Sequence, residues 1–194
     1  NSIRAMRRHE IERIGLAWMS GVIDDEASLA GMTDVYDAAI EASLQWSIRH
    51  RINDMQLEQA PAAIAIIGMG RYGGKEVNFS SDADVIIIYR PAEGADDTQA
   101  NLFARKVQED LRAILQGPTT FEQKIELDMD LRPEGKNGPL VRSYASCEEY
   151  YRSWASTWEH QALLRARYAA GDAALAEDFL MNVADPLRYP KIDL

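Results

Sequence analysis

The sequence predicts an α+β fold in which a small mixed or antiparallel sheet is flanked by helices at both ends. Three observations support this: helix-period patterns fill the first 60 residues, short apolar runs that end near glycines occupy the middle, and helix-period patterns return after residue 146. The chain has 194 residues, of which 46% are hydrophobic and 27% charged, so it can bury a core without disulfides. We expect a helical segment over 1–60 that packs on a core domain over 61–194.

Two amphipathic helices are predicted in the first part of the chain. Residues 3–19 and 26–59 repeat apolar side chains at helical spacing with charged residues between them. Gly31 is a candidate break near the start of the second helix. No proline precedes Pro61, so this part is expected to be entirely helical.

The middle of the chain changes from the helical period to short buried strands. Residues 62–67 and 83–89 are apolar runs of strand length, and only a short glycine-rich segment separates them. Two strands this close in the chain are expected to pair antiparallel. A helix is predicted over 98–115, and the Gly117-Pro118 pair is expected to end it.

Strict alternation then predicts a half-buried strand over 125–131, followed by a proline- and glycine-containing loop over 132–142. From about 146 to 183 the pattern is helical, with an interruption near Gly171. Trp154 and Trp158 lie at helical spacing and are predicted to be core residues, with adenine stacking as the alternative.

Charge and composition exclude several classes of protein. The chain has 21 basic and 31 acidic side chains, a net charge of −10, which argues against a general nucleic-acid coat because phosphate binding requires local basicity. No apolar run approaches the length that crosses a bilayer. A single cysteine, Cys147, excludes an internal disulfide framework and a cysteine-based zinc site. These features predict a cytoplasmic protein that binds neither nucleic acid nor membrane.

Acidic side chains stand on two of the predicted strands. Asp82 and Asp84 are two residues apart, so they point the same way from the start of one strand. Asp128 and Asp130 share the polar face of the alternating strand. If the strands are adjacent, the carboxylates converge, and such a cluster is costly unless a cation occupies it. Oxygen ligands favour Mg²⁺ or Mn²⁺ over zinc; the alternative is a set of solvated acids on an exposed sheet face.

A glycine-rich segment, residues 68–74, follows the first strand and contains a literal G-x-G-x-x-G. The dinucleotide-binding version of this motif requires a crossover helix before the next strand. Only about nine residues separate Gly74 from the strand at Ala83, so that interpretation does not fit. A glycine turn whose backbone N–H groups approach a phosphate fits better, with Arg71 adding a cation; a plain glycine turn is the alternative.

These motifs together resemble the polymerase-β-like nucleotidyltransferase superfamily, and within it the glutamine synthetase adenylyltransferase family. The resemblance covers about residues 60–172. It is carried by residues 68–76 (GMGRYGGKE), 78–84 (NFSSDAD), 128–142 (DMDLRPEGKNGPLVR) and 150–167. The sequences of these motifs are more similar to the adenylylating, C-terminal half of that bifunctional enzyme than to the half that removes AMP. Family members commonly carry arginine where this chain has Asp130.

The resemblance implies a metal-dependent transfer of AMP from ATP to a tyrosine of glutamine synthetase, and so a role in nitrogen regulation. Position by position, it implies that Asp82, Asp84 and Asp128 bind Mg²⁺ or Mn²⁺ and carry catalysis. It also implies that Gly70, Arg71 and Ser81 hold the triphosphate. A PII-type signalling protein is an expected partner of the full-length enzyme.

The loop over 132–142 is locally basic, so Arg132 and Lys136 are candidates to hold the triphosphate or pyrophosphate; a solvated basic loop is the alternative. Three other functions remain open from sequence. The chain could be the phosphorolytic, deadenylylating half, a nucleotidyltransferase acting on a small molecule or RNA, or a nucleotide sensor without turnover. The intact acidic triad argues against the sensor, and the net charge argues against RNA.

Overall fold

The computed structural model describes residues 2–117 and 124–189, and within them the predicted α+β architecture is confirmed. The strands are β1 (Ala62–Gly68), β2 (Ala83–Pro91), β3 (Leu127–Asp128), β4 (Val141–Ser143) and β5 (Arg167–Gly171). The helices are α1 (Ser2–Met19), α2 (Asp25–Asp54), α3 (Gly70–Gly73), α4 (Asp97–Gln116), α5 (Tyr144–Ser153), α6 (Thr157–Ala162), α7 (Ala173–Phe179) and α8 (Asp185–Arg188). Within these ranges no helix combines the length and apolar character that crossing a bilayer requires.

The sheet is mixed. β1 lies between β2 and β5 and is antiparallel to both. The other edge of β2 carries two short parallel strands in succession, with β3 beside its start and β4 beside its end. The segment that joins β3 to β4 therefore projects from this edge of the sheet.

The two central strands are buried on both faces, which explains why their sequences are continuous apolar runs. Successive side chains of β1 and β2 enter two separate cores because strand side chains alternate between faces. One core, with α1, α2 and α4, contains Ile64, Ile66, Val85 and Ile87. The other, with α5 and α7, contains Ala65, Ile67, Ile86 and Ile88. Helices thus cover the sheet on both sides.

The early helices follow the prediction, with one correction. The second helix ends at Asp54 rather than near 59, and the expected break at Gly31 is wrong because the helix continues through it. Gly31 packs against Ile14 of α1: a Cβ added there would lie 3.2 Å from Cδ1 of Ile14. The glycine therefore permits helix contact instead of ending the helix.

The second half of the chain departs from prediction in two elements. The strand predicted over 125–131 has only two paired residues, because the Asp130 N–H bonds to Oδ1 of Asp128 and begins a turn. The helical pattern predicted over 146–183, with only an interruption near Gly171, is wrong where the chain forms β5. The alanines of β5 favour a helix locally, but pairing with the open edge of β1 overrides that preference.

Trp154 and Trp158 are also not core residues: they are 76% and 46% exposed. Trp154 ends α5, and Trp158 lies in the first turn of α6. The buried residues of α5 are Cys147 and Tyr151. Helical spacing identified a helix here but assigned the wrong face to the core.

Arg167 connects three elements around the glycine segment. Its guanidinium donates to both carboxylate oxygens of Asp37 at 2.9 and 2.8 Å, and to the carbonyl of Tyr72 at 3.3 and 3.1 Å. It also lies over the Tyr72 ring, 4.8 Å from the centroid. The neighbouring Arg165 forms an exposed pair with Glu76. The first arginine therefore fixes β5 to α2 and α3, whereas the second contributes little.

We expect Arg167→Ala to lower the free energy of unfolding by roughly 2–4 kcal/mol, because it leaves the half-buried Asp37 carboxylate unpaired. Arg165→Ala is the matched control. Its pair is exposed, so its loss should cost less than about 1 kcal/mol. Urea denaturation of both variants measures the difference, and equal effects would contradict the assignment.

Candidate functional site

The glycine segment places its backbone against Asp84. Gly70 begins α3 with φ +51°, a left-handed conformation that favours glycine. A Cβ at this position would lie 2.3 Å from Oδ2 of Asp84. The Met69 N–H also donates to the Asp84 carbonyl at 2.8 Å. Because α3 is a single turn between antiparallel strands, the structure excludes the dinucleotide-binding interpretation of the motif.

Helix α2 holds the loop that precedes Asp82. The Tyr36 hydroxyl donates to the Ser81 carbonyl at 3.0 Å. Within the loop, Oδ1 of Asn78 accepts from the Ser81 hydroxyl at 3.0 Å, and that hydroxyl accepts from the Asn78 N–H at 3.1 Å. The Ser81 side chain, expected to touch phosphate, is thus engaged in ordering the loop that presents Asp82.

The third acidic residue lies beside the first two. β2 and β3 pair in parallel with Asp84 directly opposite Asp128. Asp82 and Asp128 line the same cavity, of about 420 Å³. The structure therefore places all three aspartates that the sequence singled out at the start of β2 and on the neighbouring β3.

Charge crowding is visible at the half-buried Asp84. Burial raises the pKa of its carboxyl group, and the negative charges of Asp128 and Asp82 raise it further. The backbone N–H and the charge of Arg71 act in the opposite direction and lower this pKa. Raised carboxylate pKa values are typical of sites that bind a cation or carry out chemistry.

The donor set suits a hard divalent cation, since carboxylate oxygens on a rigid sheet edge are the ligands that Mg²⁺ and Mn²⁺ prefer. In the part of the chain that the structure describes, no three acidic, histidine or cysteine side chains form a ready-made metal cage. Repulsion between like charges keeps such groups apart unless a cation draws them together. A bound cation would relieve the charge crowding that raises the pKa of Asp84.

The two basic residues predicted in the loop have different environments. Arg132 is buried, and its guanidinium donates to the carbonyls of Met129, Lys136 and Gly138 at 2.8, 3.0 and 2.9 Å. Lys136 is exposed and pairs with Asp130 at 3.2 Å. The arginine therefore shapes the loop from inside, whereas the lysine can turn toward a ligand in the cavity.

Sequence reasoning missed Glu159, a buried carboxylate in α6. One of its oxygens accepts from the Glu134 N–H at 3.0 Å and the Tyr150 hydroxyl at 2.7 Å; the other accepts from the N–H and hydroxyl of Ser156, both at 2.8 Å. Glu134 has φ +67°, so this contact holds the loop in a strained turn. The only signal in sequence is the capping-box spacing of Ser156 and Glu159.

Arg112 and Gln116, from the last turn of α4, also line the carboxylate cavity. The Nε of Arg112 donates to Oε1 of Gln116 at 2.6 Å. Neither residue lies in a recognisable motif, and on sequence alone both belong to the solvated face of an amphipathic helix. Their proximity to Asp128 arises from packing of α4 along the sheet edge.

Comparison with known proteins identifies one family. The family model described as glutamate-ammonia ligase adenylyltransferase matches residues 1–182. Proteins named bifunctional glutamine synthetase adenylyltransferase/adenylyl-removing enzyme are similar over nearly the whole chain. The one from Bifidobacterium longum strain DJO10A is 77% identical over 193 residues, which is 100% of this chain and 18% of that protein. The one from Mycobacterium tuberculosis strain H37Rv is 46% identical over 187 residues, 96% of this chain and 18% of that protein.

Gly70→Ala is expected to lower the free energy of unfolding by roughly 2–4 kcal/mol, because it adds a Cβ both at positive φ and against the Asp84 carboxylate. Gly94→Ala is the control: its φ is +75°, but nothing lies within 4 Å of an added Cβ. Backbone strain alone should cost about 1 kcal/mol there. Urea denaturation compares the two, and a Gly94 effect as large as that of Gly70 would contradict the close approach to Asp84.

Glu159→Gln should destabilise the protein by roughly 1–3 kcal/mol at pH 7. Burial alone would raise the pKa of Glu159, but hydrogen bonds from Ser156, Tyr150 and Glu134 lower it below the ordinary 4.5. A lowered folded-state pKa stabilises the protein above about pH 4.5, and this stabilisation is lost as pH falls through the folded pKa.

The difference between wild type and Glu159→Gln in urea denaturation should therefore shrink below pH 4.5. Glu149→Gln is the matched control, since its carboxylate pairs with Arg152 at the surface and should contribute less than about 1 kcal/mol. A pH-independent difference for Glu159→Gln would contradict an ionised buried carboxylate.

Proposed function

The chain belongs to the glutamate-ammonia ligase adenylyltransferase family, and on that premise we propose that it is a metal-dependent nucleotidyltransferase unit. It would transfer AMP from ATP to a tyrosine of glutamine synthetase. The chain spans about 18% of the length of the curated relatives, so this activity is proposed for the part of the enzyme that it represents. The observation that carries the proposal is the pairing of Asp84 with Asp128 beside the Gly70 turn.

In the proposed reaction, the phenolic oxygen of a tyrosine attacks the α-phosphorus of ATP. The new bond is O–P, the bond that breaks joins the α- and β-phosphates, and pyrophosphate leaves. A Mg²⁺ or Mn²⁺ ion held by Asp82, Asp84 and Asp128 would neutralise phosphate charge and lower the pKa of the phenol. Asp128 is the candidate acceptor for the phenolic proton.

The glycine turn is the proposed phosphate site. The backbone of the turn at Gly70 can approach a triphosphate closely because glycine has no side chain. The exposed Arg71 supplies a positive charge beside Asp84. Lys136 would neutralise charge from the opposite side of the cavity. Ser81 and Arg132 would act indirectly, by holding the Asp82 loop and the 129–142 loop in place.

The sequences of the motifs favour the adenylylating half. The phosphorolytic, AMP-removing half is the alternative, because both halves would use the same three aspartates. A small-molecule acceptor is a further alternative. The names of the relatives favour glutamine synthetase as the protein acceptor. In the cell we propose a cytoplasmic location and, in the full-length enzyme, regulation by a PII-type protein.

Asp82→Asn, Asp84→Asn and Asp128→Asn should each reduce AMP transfer at least 100-fold, because each removes a charged ligand at the reacting phosphate. Asp130→Asn is the matched control, since its carboxylate faces Lys136 and Arg132, and we expect a loss below about tenfold. The assay is incorporation of α-labelled AMP by the full-length protein. Full activity in any triad variant would contradict the proposal.

The same variants identify the direction of the reaction. Full-length Asp82→Asn is incubated with unmodified glutamine synthetase and ATP, and separately with adenylylated glutamine synthetase and phosphate. Loss of AMP addition alone assigns this chain to the adenylylating half, whereas loss of ADP production alone assigns it to the removing half. The reaction that remains serves as an internal control for folding.

A further inference from the structure

A cavity runs along the sheet edge, next to the carboxylates. It has a volume of about 690 Å³ and lies between α4 and residues 138–141. The side chains of α4 that line it include Asn101, Arg105, Gln108 and Glu109. We call this cavity the α4 cleft.

The α4 cleft continues into the carboxylate cavity. Arg112, Gln116 and Leu140 line both. From Asn101 to Gln116 the helix extends roughly 22 Å, the length of about six or seven residues of extended chain. The cleft is therefore long enough for a polypeptide segment that ends at the reacting group.

Gln108 presents a side-chain amide to the α4 cleft. The residue is 4% exposed, and among residues 2–117 and 124–189 its amide forms no hydrogen bond; because its N and O atoms are not among the fully buried atoms without a partner, they are open to the cleft. A side-chain amide carries N–H donors and a C=O acceptor, so it can bond to both the C=O and the N–H of a peptide group.

Charge in the α4 cleft differs from that of the whole chain. Arg105 and Arg112 contribute two positive charges and Glu109 one negative charge, in a chain of net charge −10. Arg105 forms no ion pair among the described residues. Arg105 is thus available to pair with an acidic side chain of an occupant.

In the proposed reaction, the acceptor and the leaving pyrophosphate lie on opposite sides of the α-phosphorus. The attacking and leaving oxygens lie on opposite sides of the phosphorus. The glycine turn joins β1 to β2, whereas the α4 cleft lies beyond Asp128 on the other edge of β2. If the phosphates lie at Gly70, the acceptor approaches from the cleft.

We propose that the α4 cleft binds an extended, acidic segment of the protein acceptor and leads its tyrosine to the carboxylates. This inference rests on the proposed function. Gln108 would bond the backbone of the segment, and Arg105 would pair with an acidic side chain that flanks the tyrosine.

The test measures KM for glutamine synthetase and for ATP in the full-length protein, in whichever reaction Asp82→Asn abolishes. Arg105→Ala and Gln108→Leu should each raise KM for glutamine synthetase about three- to tenfold and leave KM for ATP unchanged. Glu109→Gln should lower KM for glutamine synthetase, because it removes a repulsive charge. Lys106→Ala, which removes a cation from the same helix outside the cleft, should change neither value.

Unchanged KM for glutamine synthetase in Arg105→Ala, an exposed site that does not threaten folding, would overturn the inference. A rise in KM for ATP alone would overturn it too, because the cleft would then hold nucleotide. If Asp82→Asn abolishes neither AMP addition nor AMP removal, the proposed function fails instead. If Asp82→Asn abolishes one reaction and the cleft variants change nothing, only the inference fails.

Discussion

The side-by-side pairing of Asp84 and Asp128 on neighbouring strands is the constraint on which the site depends. Two carboxylates in one half-buried position repel each other, so the rest of the fold must hold them there. The Gly70 backbone lies against the Asp84 carboxylate, and Arg132 holds the turn that follows Asp128. The surrounding structure therefore offsets a local electrostatic cost, as is common where chemistry takes place.

A single face of α2 reaches most of the elements around this pair. Thr33 accepts from Val77, Tyr36 donates to Ser81, and Asp37 pairs with Arg167. One turn later, the Glu41 carboxylate accepts from the N–H of Gly171 at 2.7 Å. The early helices are thus part of the scaffold that positions the aspartates, although no chemical motif in their sequence indicates it.

Local sequence patterns predicted the parts of the fold that depend on short-range chemistry. The apolar runs identified β1 and β2, and the spacing of Asp82, Asp84 and Asp128 on strand patterns indicated which side chains meet. Patterns failed where distant contacts decide the outcome. β5 forms because β1 has a free edge, Arg132 is drawn inward by three loop carbonyls, and Glu159 is buried by a turn that lies 25 residues earlier. Arg105 and Gln108 cannot be distinguished from ordinary helix surface until α4 is placed beside residues 138–141.

The position of β5 in the sheet implies that the strands pair in a particular order during folding. β1 and β2 are close in the chain and can pair early, but β1 also pairs with a strand about 100 residues later, where Ile67 meets Tyr168. Closing so long a loop is slow compared with forming a hairpin. During synthesis, the second edge of β1 stays unpaired until residues 167–171 have left the ribosome. Until then β1 exposes an apolar strand edge, and exposed edges of this kind favour aggregation.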